Sequence, residues 1–264
     1  MKFSVESRQP YSVLKDADEI RVMYKDKEIL MDFIEKIPNK DIVLELPPKE
    51  EISVEVIKMY QEKFTNFYIA LHKLDQYEFM NNNNIQWYWP YPITTYFELH
   101  KIINLKPAYV LLGAPLCFDL PKVKEIVGEI KLRMVVNKAL PDYLITSFSD
   151  INIEGPYVRP DDVKLYEDII DVMEFEVDYG NYKKEEALLR IYKTGEYSGN
   201  LNLIIDNLNV DVDNRIIESS FGEKRICCGQ KCLRNKTCRF CINSIILANN
   251  IRVLKYEIEK NNLN

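Results

Sequence analysis

The chain has 264 residues, 47% hydrophobic and 29% charged, with a formal net charge of −6. That composition excludes a disordered chain and allows a sizeable core, in one large domain or two ordinary ones. The negative balance excludes the molecule as a whole from acting as a generic binder of polyanions.

Residues 1–17 give weak signals and read as an opening strand or arm. A rhythm then begins. Glu19–Tyr24 is a predicted strand, and Lys27–Ile37 an amphipathic helix stopped by Pro38. Asp41–Leu46 is a strand closed by Pro47 and Pro48, and Ser53–Phe64 a helix capped by Ser53. The strands Phe67–Leu71, Ile85–Trp89, Ala108–Leu112 and Ile130–Val136 follow. They alternate with helices at Gln76–Met80, Thr94–Asn104 (capped by Thr94 or Thr95) and Pro121–Val127. Most of these strands are continuous apolar runs, as expected when both faces are covered. Alternating βα units at this tight spacing predict an α/β fold of the TIM-barrel-like (β/α) type, compact or incomplete, in preference to a doubly wound sheet.

The pattern then loosens. Asp142–Gly155 reads as a loop, and a helix starting at Pro160 runs to about Ile169. Val172–Val177 is another strand, Lys183–Tyr192 a helix, and Leu201–Leu208 a weaker helical stretch. Phe240–Ile258 closes the chain as a helix. We therefore divide the chain into a barrel-like domain over 1–180, a helical or irregular extension of it over 181–222, and a cysteine-rich metal module with its closing helix over 223–264.

Five of the six cysteines fall between 227 and 241. Cys228-x3-Cys232 and Cys238-x2-Cys241 have metal-ligand spacing, and Cys227 is the spare. Four thiolates so close in sequence converge on one ion with little loop to order, which suits zinc, with an iron–sulfur cluster as the alternative. No apolar signal core opens the chain, and no apolar run reaches the ~20 residues needed to cross a bilayer. We therefore expect a cytoplasmic, reducing setting without a membrane, where clustered cysteines serve metals more often than disulfides. Residues 223–241 hold six Lys and Arg against Glu223 alone. Lys231, Arg234 and Arg239 are the candidate contacts to nucleic-acid phosphates or to a protein partner. Richness in Asn, Lys, Ile and Tyr points to an AT-rich genome, bacterial or viral, and the chain reads as one a phage or mobile element would encode.

In a barrel, ligands gather at the C-terminal ends of the strands. Glu45, Arg133 and Glu174 are the candidate catalytic residues there, two carboxylates for acid–base work and a guanidinium for an anion. Trp87 and Trp89 are candidates for a substrate-stacking platform. Arg159, extended before Pro160, is a candidate substrate contact from a rigid loop. His72, Asp75, Tyr91, Asn137, Glu176 and Asp178 also fall near strand ends. Structural roles compete for each: barrel filling for the tryptophans, an internal ion pair for Glu45, a loop-to-body bridge for Arg159. Nucleotide-binding glycine loops, a Gly-x-Ser-x-Gly elbow and a His-Glu-x-x-His helix are all missing from the sequence.

The stretch Ile85–Asn137 resembles the middle of peptidase U32-type proteins. The likeness lies in a strand, the Thr-led helix beginning Thr94-Thr95-Tyr96-Phe97-Glu98-Leu99, a Lys-Pro-Ala-Tyr-Val-Leu-Leu strand, a Pro-led helix and an Ile-Lys-Leu-Arg-Met-Val-Val strand. A cysteine cluster following a barrel body is similar as well. The resemblance implies a barrel fold, an iron–sulfur site and an activity of RNA-modifying or cofactor-modifying type. It implies no catalytic residue at any position of this chain. The functional expectation is a barrel protein with a four-cysteine metal site that acts on or binds nucleic acid. The contrasting expectation is a non-catalytic structural or assembly protein stapled by zinc.

Overall fold

The structure, a computed structural model, describes residues 1–6, 11–24, 36, 39–49, 52–138, 157–176, 182–206, 208, 211–228 and 244. Eight parallel strands close into a barrel: β1 (Lys2–Glu6), β2 (Glu19–Met23), β3 (Asp41–Leu46), β4 (Asn66–Leu71), β5 (Trp87–Ile93), β6 (Tyr109–Leu112), β7 (Lys131–Val135) and β8 (Val172–Glu174). The ring is sealed where β1 pairs with β2 on one side and with β8 on the other, Ser4 lying opposite both Glu19 and Glu174. The barrel is thus complete. The weak opening segment supplies the missing strand. Lys-Phe-Ser-Val-Glu alternates polar and apolar side chains, so its hydrophobicity is low while its parity is right.

That parity separates two cores. Outward side chains such as Phe3, Ile20, Ile42, Ile69, Val110, Leu132 and Met173 pack under the helices and form the main apolar core. Each large apolar side chain buried there contributes roughly 1.5–3 kcal/mol. Inward side chains form a second, smaller cluster of Val43, Tyr68, Ala70, Tyr88, Tyr109 and Val172.

The surrounding helices are α1 (Tyr11–Asp16), α2 (Val54–Lys63), α3 (Tyr77–Asn82), α4 (Tyr96–Ile103), α5 (Leu120–Val127), α6 (Tyr182–Thr194) and α7 (Ser220–Ile226). Ser53 caps α2, accepting from the Val56 amide at 3.3 Å. Thr95 heads α4 in a full capping box: its hydroxyl accepts from the Glu98 amide at 3.1 Å, and the Glu98 carboxylate accepts from the Thr95 amide at 3.2 Å. The helix expected over Lys27–Ile37 and the closing helix over Phe240–Ile258 lie outside the described residues.

Between β7 and β8 the chain forms a 3₁₀ helix, Pro160–Tyr166, within the helical stretch expected from Pro160 to about Ile169. Its tighter turn brings Arg159 and Asp162 together three residues apart, with Nε–Oδ2 and Nη2–Oδ1 both 2.7 Å. The extension after β8 packs on this element. Tyr192 of α6 is fully buried, and its hydroxyl lies 2.7 Å from the Val158 carbonyl and 3.1 Å from that of Val136. Helix α7 buries Phe221 and Arg225. Arg225 Nη1 donates to the Tyr157 carbonyl at 3.1 Å, and the guanidinium stacks 4.0 Å from the Tyr157 ring. Since α7 runs from 220 to 226, it crosses residue 222, where the sequence suggested a boundary. It touches the Leu116–Phe118 turn after β6 and the 3₁₀ helix after β7, so it sits at the C-terminal end of the barrel. Among the described residues no helix is long and apolar enough to cross a membrane.

Candidate functional site

The inner faces of the strands carry charge as well as aromatic rings. Glu19 and Arg21 on β2, Arg133 on β7 and Glu174 on β8 all point inward, by the alternation of their strands. Arg133 is fully buried and lies between two carboxylates. It pairs with both oxygens of Glu19, Nη1 donating to Oε2 at 3.1 Å, and its Nε donates to Glu174 Oε1 at 2.5 Å. Arg21 then takes the other Glu174 oxygen at 3.1 Å and donates from Nη2 to the Phe175 carbonyl at 2.9 Å. The result is a continuous chain, Glu19–Arg133–Glu174–Arg21, with two charges of each sign. Burial works against the ionised Glu174, but the guanidinium groups of Arg133 and Arg21 outweigh it and hold its carboxyl below the usual range. Tyr88 and Tyr109 flank the chain, the Arg133 guanidinium lying 4.4 and 5.0 Å from their rings. Burial pushes both phenols well up, so they stay neutral. At the N-terminal end Lys2 pairs with Asp41, and Asn66 donates to the same carboxylate at 2.8 Å.

Above this chain, at the C-terminal ends of the strands, lies a cavity of about 270 Å³. Glu6, Arg21, Glu45, His72, Tyr88, Pro90, Glu174 and Glu176 line it. These come from β1, β2, β3, the residue after β4, β5, and β8 with its extension, so the site exists only once the ring has closed. Tyr91, on the exposed run of β5, fixes His72: its hydroxyl is 3.1 Å from Nδ1, and the two rings meet edge to face at 5.4 Å. His72 Nε2 is 3.7 Å from Glu45 Oε2. That is beyond hydrogen-bond reach, and Nε2 has no hydrogen-bond partner. The Glu176 carboxylate pairs with Lys138, and its amide donates to Asn137 Oδ1 at 3.0 Å.

Of the residues proposed from sequence, Glu45 and Glu174 line the cavity together. Arg133 lies beneath it, saturated by carboxylates and out of reach of a ligand. Trp87 faces the other way: it is buried in the helical layer, with its indole N–H donating to Asn81 Oδ1 at 2.8 Å. Trp89 shares that outward parity and packs against the outer core, its ring 4.9 Å from Tyr91. Arg159 is buried in its Asp162 pair behind β7, with the Phe221 ring 5.4 Å away, which is the bridging role. Arg21, Glu19 and Glu6 were not picked out. Their signal was parity: in Glu19-Ile20-Arg21, Leu132-Arg133-Met134 and Met173-Glu174-Phe175-Glu176 the charged residues share one strand face.

Among the cysteines, Cys228 is half-buried just beyond α7, and Cys227 is exposed. Cys232, Cys238 and Cys241, like Lys231, Arg234 and Arg239, lie outside the described residues. Among the described residues no three His, Cys, Asp or Glu side chains converge as metal ligands would. Cys117, on the turn after β6, is buried, and its thiol is pushed up to about 12 by that burial, with Arg225 opposing. A second, larger groove of about 680 Å³ opens at the N-terminal end, lined by residues that include Trp87, Gln86, Lys106 and Lys131.

No protein-family model matches the sequence, and no curated protein does. Among solved structures, the chain is similar to a cube-shaped, highly porous protein cage designed by fusing symmetric oligomeric domains, at 7% identity and a TM-score of 0.45, over 74% of this chain and 72% of that one. It is also similar to 3-keto-L-gulonate-6-phosphate decarboxylase from Vibrio cholerae, at 11% identity and a TM-score of 0.39, over 74% of this chain and 99% of that one. Neither bears on the chemistry of this chain, whose closed ring of eight parallel strands stands on its own pairing.

Proposed function

We propose that the protein binds a small polar molecule in the C-terminal mouth of its barrel and moves a proton on it with the Glu45–His72 pair. The observation that carries this reading is the 3.7 Å separation of Glu45 Oε2 and His72 Nε2 across a cavity wall, with Tyr91 holding the far side of the imidazole. In the tautomer that accepts the Tyr91 O–H at Nδ1, the ring N–H lies at Nε2, on the side of Glu45. The pair then offers a carboxylate base beside an imidazole hydrogen-bond donor. The C-terminal mouth is also where barrels of this architecture place their chemistry. A library of polar metabolites screened by thermal shift tests the idea. Compounds that raise the melting temperature should lose their effect in both Glu45→Gln and His72→Asn, two variants at the partly buried rim. Stabilising compounds that act equally on both variants would place the ligand elsewhere.

A second reading concerns the cysteine segment. We propose that Cys228, Cys232, Cys238 and Cys241 hold zinc, or an iron–sulfur cluster as the U32 resemblance implies, and that Lys231, Arg234 and Arg239 face nucleic-acid phosphates. The spacing of the thiols supports it, together with the anchoring of α7, which brings Cys228 to the same end of the barrel as the mouth. Zinc in a closed thiolate site would order the segment and add no chemistry of its own. Elemental analysis of anaerobically purified protein should give one zinc per chain, or iron and sulfide with broad visible absorbance. Protein free of both metals would sink the reading.

A further inference from the structure

We propose that the groove of about 680 Å³ at the N-terminal end of the barrel binds a small organic anion, an apolar body carrying an oxyanion group. This site is separate from the mouth and does not depend on its chemistry. The chain entering β5, β6 and β7 builds it, bringing Asn84 and Gln86, then Lys106, then Glu129 and Lys131 to one rim. Trp87, Ala108 and Ile130 form part of the wall beneath. All five rim side chains are exposed, and among the described residues none of them has a hydrogen bond or an ion pair. The rim therefore holds two uncommitted ammonium groups against one carboxylate, on a chain whose net charge is −6.

Lysines beside helix ends often serve the last carbonyls, but here backbone amides already fill that task. Beyond α3, the Asn84 and Ile85 amides donate to the Asn81 and Met80 carbonyls. Beyond α4, those of Leu105 and Lys106 donate to Ile102 and Ile103, and beyond α5 those of Gly128 and Ile130 donate to Lys124 and Val127. Lys106 also sits in the left-handed region, at φ 58°, where glycine or asparagine suits the backbone better; the matching place after α3 holds Asn84, at φ 55°. Lys131 is the first residue of β7 and shares the inward parity of Arg133, with its ammonium 5.4 Å from the Tyr109 ring. An oxyanion in the groove gains charge-assisted hydrogen bonds from these lysines, and the amides of Asn84 and Gln86 are further donors. A cation would be repelled by the two ammonium groups, and a neutral ligand would forgo the stronger bonds. The apolar wall is covered only if the oxyanion brings a hydrocarbon or aromatic body with it. The volume lies within the range of small-molecule sites.

Naphthoate, naphthamide and naphthylmethylammonium separate charge from shape, since they share one ring system and differ in sign. The chain has two tryptophans, and of these Trp87 lines the groove, so the indole N–H signals in NMR report the site and carry Trp89 as an internal control. We expect naphthoate to shift the Trp87 signal, with the amide and the ammonium binding at least about tenfold more weakly. Lys106→Gln and Lys131→Gln change exposed side chains, so folding should survive them. Each should weaken naphthoate by about three- to tenfold and leave naphthamide unchanged. If naphthamide or the ammonium binds as tightly as naphthoate, or if both lysine variants keep its full affinity, the anion class is overturned. If naphthoate moves His72 instead of Trp87, it sits in the mouth and the groove falls as its site. If it moves neither at about ten millimolar, the groove falls as a site for organic anions.

Discussion

Glu174 is the residue on which the interior turns, because it accepts from both arginines and forms the floor of the mouth. Its ionised form is favoured in the folded protein, since the two guanidinium groups overcome the cost of burial. A carboxyl held low by folding adds stability that is present above its unfolded value of about 4.3. That stability is lost as the pH falls through the lower folded value. Glu174→Gln should therefore cost about 3–5 kcal/mol at neutral pH, because it leaves buried positive charge uncompensated. The same change should flatten the acid limb of the stability curve. Urea midpoints at pH 7 and at about pH 2, below the ordinary carboxylate range, check both points. Equal losses in the two proteins between those pH values would contradict the assignment. At this scale the sequence was partly legible. Glu45 and Glu174 were picked from their places near strand ends, and both line the cavity. Trp87 was picked as part of a stacking platform from its place near a strand end, and that place alone does not say which face of the strand its side chain takes.

Helix α7 is short, and tertiary contacts hold it more than its own turns do. Gly222 faces Asp162 so closely that a Cβ there would lie 2.7 Å from both carboxylate oxygens. Asp162 cannot swing aside, because Arg159 grips both of those oxygens. Gly222→Ala should thus destabilise the protein by about 1–3 kcal/mol, the usual range for overpacking a well-fitted site. The gain in helix propensity, at most about 1 kcal/mol, would not offset it. A fall in the denaturant midpoint reads the effect, and an unchanged or raised midpoint would mean that Asp162 yields. Capping signals made other elements readable beforehand. Ser53 and Thr95 each precede a helix with the right chemistry, and both cap as expected. The stretch after Arg159 was readable as a helix but not as to its type, because a leading proline suits both an α-helix and a 3₁₀ helix. What decided between them was packing under α6 and α7, which a local pattern does not contain.

At the scale of the whole molecule, the barrel was legible because outward-facing apolar residues dominate most strands. Its completeness was not, because β1 has only Phe3 and Val5 on its outer face. Closure is a long-range event: β1 meets β8 across more than 160 residues of chain, and no local signal announces that pairing. The charged interior was hidden for a related reason. Glu19 and Arg133 stand 114 positions apart, and Arg21 and Glu174 stand 153 apart, so each looks like an isolated surface charge until the ring closes. The ionic chain also shapes how the protein can change over generations. Outer core positions can drift singly, exchanging one apolar side chain for another of similar volume. Positions 19, 21, 133 and 174 cannot, since losing any one strands a charge in the lumen. Descendants should therefore replace them in concert, by swapping the signs of partners or converting several to apolar residues together. Across related chains these four positions would then vary as one inherited unit, on a slower clock than the shell around them.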